Sequence, residues 1–256
     1  MGFFDLFKGG EKKQGKGTSP KPKKEVSANA VVAKFADRAA DKRAQNYDRG
    51  EALQMLAEVG TAESAAALLK RFTFTMDPSI TDQEEKDLAA QGVLGAGREA
   101  IGPIRKFSEK ADSLAWPMKI LKELVDEDEY VEELISWLAR WDTEYAKFID
   151  PKIQLLVALE EHKSPAIREA VEPFLDDVNE TARFHAAAAI FHQEDEAAAS
   201  ALLKILPEEE SFRVKNKICE GFLSRGWVVP DDLRETSRKA FPPGFTIDAD
   251  GKLKKR

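Results

Sequence analysis

Residues 174–206 read FLDDVNETARFHAAAAIFHQEDEAAASALLKIL, and this stretch decides the fold class. An acidic turn precedes Arg183, and the alanine-rich segment that follows places Ala186 and Ile190 on one face. A second short acidic turn leads into a segment that ends in paired leucines. Apolar residues spaced three and four apart are typical of amphipathic helices. The stretch therefore predicts two consecutive helices separated by a turn.

The first-helix pattern recurs along the chain. It consists of a residue, in most cases basic, that is followed by apolar residues three and seven positions later. Successive copies are 31 to 37 residues apart, and each is followed by a second amphipathic segment. The copies start at Arg49, Lys86, Met118, Lys152, Arg183 and Lys215. One pair of helices cannot cover its own apolar stripe, so repeated pairs must stack. We expect an all-α fold, an α-solenoid superhelix of about six helical hairpins over residues 29–241.

The composition agrees with helices. Alanine and leucine together number 57, against 25 for valine and isoleucine, a balance that favours helix over strand. No alternating apolar pattern of useful length indicates a sheet. Charged residues make up 33 % of the chain, which suits an elongated array with much surface.

The repeating pattern resembles the short HEAT repeats of bacteria, a group that includes the HEAT-like repeats of phycobilisome-linked lyases. The resemblance covers residues 46–229, strongly over 150–225 and poorly over 77–145. The match is clearest over residues 174–206, where Asp177 and Arg183 occupy the acidic and basic positions of the repeat. The resemblance implies a helical-repeat fold and a protein-binding habit. It does not imply lyase activity.

In such repeats, an acidic turn residue and a basic residue after it bridge neighbouring repeats. The residues expected to form this inter-repeat ladder are Asp177, Arg183, Lys152 and Lys215. The alternative is that part of this basic row lines a groove that receives an acidic partner.

The N-terminal end differs in charge from the rest. Residues 1–28 hold seven lysines and three acids, a net charge of +4, which leaves −11 for the remaining chain. Residues 1–8 form an amphipathic segment, and residues 9–28 form a basic flexible linker. The candidate docking residues are Phe3, Phe4, Leu6, Phe7, Lys8, Lys12 and Lys13. Apolar side chains next to lysines suit an anionic membrane surface. Docking onto a protein, and an inert tail, are the alternatives.

The other end, residues 242–256, predicts a basic C-terminal tail, loose or in a frayed hairpin. A single cysteine, Cys219, excludes an internal disulfide and favours a reducing compartment. We therefore expect a cytoplasmic protein, with the inner face of the membrane as a place of peripheral attachment. The acidic body predicts no nucleic-acid partner.

Tryptophan and tyrosine are concentrated in one repeat. Trp137, Trp141 and Tyr145 form the candidate partner surface, since tryptophan is a common interface anchor. Filling of the core is the alternative for the tryptophans.

No set of residues with catalytic or metal-binding spacing stands out. His185 and His192 lie seven apart, not the four that a helical metal pair uses. The sequence predicts no catalytic residue, no cofactor and no metal. It favours a non-enzymatic scaffold or adaptor that binds an unknown protein. The alternative is a lyase-like or chaperone-like subunit that acts on a tetrapyrrole or a client protein, for which His185 and Cys219 are the residues to change.

Overall fold

The computed structural model describes residues 27–255. Segment 1–8 and nearly all of linker 9–28, with their candidate docking residues, lie outside this range. Thirteen α-helices occur in the described part: α1 Ala28–Ala39, α2 Asn46–Ala57, α3 Ala62–Leu69, α4 Ser79–Gly95, α5 Ile101–Ser108, α6 Ala115–Leu124, α7 Glu127–Leu138, α8 Asp150–Leu159, α9 Pro165–Val171, α10 Glu180–Gln193, α11 Ala199–Lys204, α12 Phe212–Arg225 and α13 Arg234–Ala240. Short 3-10 turns extend α3 and α9 and precede α5, α11 and α13. The all-α prediction is confirmed.

The even-numbered helices carry the repeating sequence pattern. Each predicted copy starts inside one of α2, α4, α6, α8, α10 and α12. The positions three and seven residues after each starting residue are buried, with the exception of half-buried Val125. Residues at this spacing share one face of a helix, and that face supplies the core.

The helices pack mainly on near neighbours in the chain. Helix α2 packs on α1, α3 and α4, and α10 packs on α8, α9 and α12. Glycine allows two of these even-numbered helices to approach others closely. A Cβ atom on Gly92 would lie 2.7 Å from the Cβ of Ala57, and one on Gly221 would lie 2.2 Å from Phe191 Cζ.

Six connections run from an odd-numbered helix to the next helix, and contacts link several of them to their neighbours. We call these connections together the odd-to-even edge; it comprises residues 40–45, 74–78, 109–114, 139–149, 177–179 and 205–211. Hydrogen bonds join its successive parts. Arg140 donates to Ser108 Oγ at 3.2 Å, and the Val178 amide donates to the Thr143 carbonyl at 3.0 Å.

The C-terminal residues form a hairpin, one of the two arrangements expected from the sequence, but the hairpin is packed on the helical body and is not frayed. Strands β1 (Phe245–Ile247) and β2 (Leu253–Lys255) form an antiparallel hairpin in which Phe245 pairs with Lys255. Phe245, Ile247 and Leu253 are buried in the core. The Val229 amide donates to the Gly251 carbonyl at 2.8 Å, which fastens the turn to the helical body. The three apolar side chains of this hairpin are too few to produce the alternating pattern that predicts a strand, but their burial holds the segment in place.

Candidate functional site

Buried ion pairs lie beneath the odd-to-even edge. The Lys152 ammonium lies 2.7 Å from Asp177 Oδ2, and both side chains are fully buried. Lys152 also donates to the Asp142 carbonyl at 2.8 Å. Asp177 accepts a second hydrogen bond, from the Asn179 amide at 2.8 Å. The lysine of α8 thus holds the turn that begins α10.

Arg183 repeats this geometry one step along the chain. Its guanidinium donates to both carboxylate oxygens of Glu209, at 2.7 and 2.9 Å, and to the Asp177 carbonyl at 2.8 Å. Burial raises the pKa of Glu209, but hydrogen bonds from Arg183 and from the Ser211 amide outweigh it, so the net pKa lies below the ordinary value. Asp177 and Arg183 therefore bridge neighbouring helices through Lys152 and Glu209 rather than through each other's charged groups.

Lys215 occupies the next position of this row. Within residues 27–255 it forms no ion pair, although its charge lies close enough to Glu209 to lower the pKa of that carboxyl. The row of ion pairs ends with Arg183 in this part of the chain.

A further buried cluster lies near the start of the array. Arg49 of α2 donates to both oxygens of Glu85, at 2.7 and 2.9 Å, and Arg71 donates to Glu85 at 2.8 Å. Asp82 forms ion pairs with Arg71 (Oδ1 to Nη2, 2.6 Å) and with Lys86 (Oδ2 to Nζ, 2.7 Å). Arg49, Arg71, Lys86 and Lys152 are all buried. The basic residues in this part of the row are therefore internal ties, and they do not line a groove.

The candidate partner surface needs a correction. Trp137 is 1 % exposed and lies in the core, because it falls on the inward face of α7. Trp141 is half-buried and packs against that core. Tyr145, by contrast, is 82 % exposed.

Tyr145 belongs to a row of exposed apolar side chains on the odd-to-even edge. Phe148 shares its connection and is 57 % exposed; Val178 and Phe212, in or next to the two following connections, are 58 % and 63 % exposed. We call these four residues the exposed row. The Val178 amide binds the Thr143 carbonyl, so the first two connections are in direct contact.

A groove occupies the other half of the same edge. It has a volume of about 680 Å³ and lies where the ends of α3 and α5 meet the connection before α2. We call it the lysine groove. Its lining consists of Lys42, Lys70, Lys106, Lys110, Phe72, Phe74, Phe107, Thr73, Thr75, Ala111, Asp112 and Ser113.

The lysine groove combines cations with aromatic rings. All four lysines are exposed, and among residues 27–255 none of them forms an ion pair. Phe72 stacks on Trp116 with the ring centroids 5.0 Å apart, and the Arg71 guanidinium lies 4.4 Å from the centroid of Phe74. Asp112 is the one acidic residue of the lining. The groove can therefore attract an anion and offer rings to an apolar group.

The histidines and the cysteine are placed separately. His162 is buried with Nδ1 3.0 Å from Glu127 Oε1, His185 contacts Glu160, and His192 is exposed. Cys219 is fully buried, and burial raises the pKa of its thiol to about 12. The thiolate, which is the reactive form, is thus strongly disfavoured there.

In residues 27–255 no three or more His, Cys, Asp or Glu side chains are grouped to hold a metal ion. Over the same range no helix combines the length and apolar character needed to cross a membrane.

Sequence reasoning missed the lysine groove. Its four lysines are spread from position 42 to position 110, and each looks like an ordinary surface lysine. One signal was present: the segment TFTMDPSITD, after Phe72, departs from the repeat, and its first three residues line the groove.

Comparison with known proteins identifies no family for this chain. No protein-family model and no curated protein matches the chain. A solved structure titled "Computational Design of Self-Assembling Cyclic Protein Homooligomers" is similar at 14 % identity, over 83 % of this chain and 77 % of that chain. Its TM-score is 0.14, which is too low to support any argument about fold or function.

Proposed function

We propose that this protein is a non-enzymatic scaffold or adaptor built as an α-solenoid of HEAT-like helical hairpins. Three observations support the solenoid: the sequence repeat falls on the even-numbered helices, near neighbours pack together, and equivalent residues tie successive turns. The pairs Lys152 with Asp177 and Arg183 with Glu209 are two copies of one tie. Such arrays commonly offer an extended surface for binding.

The exposed row is the observation that carries the proposed binding role. Large exposed apolar side chains in adjacent connections leave apolar area in water, and such patches mark interaction sites. The rim is polar: Glu144 and Asp150 are exposed beside Tyr145 and Phe148, and Arg213 pairs with Glu180 beside Phe212. An apolar centre with a polar rim is typical of a protein interface.

Affinity capture with variants tests this role. The full chain is compared with the double variant Tyr145→Ser and Phe148→Ser in quantitative capture from the source cells. The matched control is Tyr47→Ser, since Tyr47 is also 82 % exposed but lies outside the exposed row. We expect the same proteins to be enriched by the full chain and the control and lost with the double variant. Enrichment that the double variant leaves unchanged would refute the assignment of this surface.

For the N-terminal segment we propose attachment to an anionic membrane surface. The support is its sequence: four apolar side chains in residues 1–8 and seven lysines in residues 1–24. Each lysine near an anionic leaflet contributes about 1 kcal/mol. Vesicles with phosphatidylserine should retain the full chain and release a version that lacks residues 1–24. Equal recovery of the two would count against the membrane and leave protein docking and an inert tail as the alternatives.

A further inference from the structure

We propose that the lysine groove binds a short acidic peptide segment that carries a large apolar side chain. The site is separate from the exposed row, and the inference stands without the function proposed for that row. Neither the sequence repeat nor the buried ties explain why cations and rings meet at this place.

The groove lies where three successive odd-numbered helices, α1, α3 and α5, end and lead into their connections. Lys42 comes from the connection after α1, Lys70 from the turn that ends α3, and Lys106 from the last turn of α5. Basic side chains at helix C-terminal ends are individually favourable, because the helix dipole places partial negative charge there. The helix dipoles do not explain why four lysines converge on one concave space, where their like charges repel one another and Asp112 offsets only one of them.

A bound anion would reduce this repulsion. The phenylalanine rings of the lining indicate that the ligand also carries an apolar group. Phe72, Phe74 and Phe107 line the same space and come from the ends of α3 and α5 and the residues that follow α3. Phe72 stacks on Trp116, and the Arg71 guanidinium lies over the ring of Phe74. These contacts hold both rings in place. A ligand with carboxylates and one large apolar or aromatic side chain satisfies both halves of the lining. A volume of about 680 Å³ suits a few residues of such a segment.

A peptide fits better than a nucleic acid because of the neighbouring charges. Arg140 binds Ser108, so the connection 139–149 adjoins the groove along the edge. That connection and the start of α8 expose three acids, Asp142, Glu144 and Asp150, against two bases, Arg140 and Lys147, so the excess charge there is negative whereas that of the groove is positive. A phosphodiester chain that extends past the groove would meet these carboxylates, whereas a peptide with its acids confined to a few residues would not.

The test uses the full chain and fluorescein-labelled peptides in an anisotropy titration. The probe is EDEFDEFDE, and the comparison peptide EDESDESDE has the same charge without the rings. Single-stranded oligothymidylate is the nucleic-acid arm. We expect the probe to bind with saturation, the ring-less peptide to bind about tenfold more weakly, and the affinity to fall as salt rises.

Variants locate the binding. Lys106→Glu with Lys110→Glu reverses two exposed charges of the groove and should lower probe affinity by about tenfold or more. Lys204→Glu with Lys252→Glu is the control, because both lysines are exposed and lie outside the groove. Circular dichroism of each variant should match that of the parent chain, since none of these four lysines is buried.

Three results would overturn the proposal. The first is no probe binding at protein concentrations up to about 1 mM. The second is probe binding that falls equally in the groove and control variants, which would indicate general attraction to any lysine. The third is tighter binding of oligothymidylate than of the probe, which would assign the groove to nucleic acid. All three leave the exposed row untouched, because capture through Tyr145 and Phe148 is measured separately.

Discussion

Replacement of Lys152 by methionine should destabilise the protein strongly. The ammonium and Asp177 Oδ2 are 2.7 Å apart, and neither side chain is accessible to water. Methionine keeps the length of the side chain but removes the charge and two good hydrogen bonds, to Asp177 and to the Asp142 carbonyl. The carboxylate of Asp177 would then be buried with the Asn179 amide as its remaining hydrogen-bond donor. Removal of one member of a buried pair costs about 3–5 kcal/mol.

Urea unfolding followed by far-ultraviolet circular dichroism measures this cost. Asp177→Asn is the reciprocal variant: its single amide oxygen can still accept from the Asn179 backbone amide, but the Lys152 ammonium is left buried without a counter-charge. The double variant Lys152→Met with Asp177→Asn should lose less than the two single losses combined, by about 1–3 kcal/mol, because no charge is left buried alone. The control is Arg98→Ala, because Arg98 is 66 % exposed and its partner Glu129 is only half-buried; loss of this ion pair should cost less than about 1 kcal/mol.

The refuting results are specific. A loss below about 1 kcal/mol for Lys152→Met would mean that water reaches the pair, as it does at a surface ion pair. Additive losses in the double variant would mean that the two side chains contribute independently. Either result would contradict the role of this pair as a tie between α8 and α10.

Three other outcomes follow from the same packing. Gly221→Ala should lower the free energy of unfolding by about 1–3 kcal/mol despite the better helix propensity of alanine, since the new Cβ would overlap the Phe191 ring at 2.2 Å; unchanged urea stability would contradict this. Cys219 should resist a thiol reagent at pH 8 until urea unfolds the chain, because burial raises its pKa to about 12; rapid labelling of the folded chain would count against burial. Glu209 has a lowered pKa, so its stabilising contribution is complete above its ordinary value of 4.5 and is lost as pH falls below that value. Arg183→Met should weaken this pH dependence, and an unchanged pH profile of the unfolding midpoint would speak against the pair.

Helical periodicity could be read from the chain because it is local. The positions three and seven residues after Arg49 or Lys152 must share a helix face, whatever packs against that face. Their burial follows once a core forms. The same locality explains why the first and last helices fall close to the predicted limits of 29 and 241.

Trp137 shows where local reasoning stops. The sequence gives equal support to a core tryptophan and to an interface tryptophan on α7. Its exposure of 1 % depends on which helices cover it. Phe245, Ile247 and Leu253 show the same limit at the C-terminal end: the sequence left a loose tail and a frayed hairpin open, and contacts with the helical body hold the segment as an ordered hairpin.

The sequence by itself determined the helical class, the repeat and the basic residue that heads most of the even-numbered helices, because each depends on neighbours within one or two helical turns. Tertiary structure alone decided that Lys152 and Arg183 are internal ties, that Tyr145 and Phe148 face water, and that Lys42, Lys70, Lys106 and Lys110 converge on one groove. The physical reason is distance along the chain. Lysines from three separate helix ends can attract the same ligand only when packing brings those ends side by side. The spacing of these lysines along the chain does not predict that proximity.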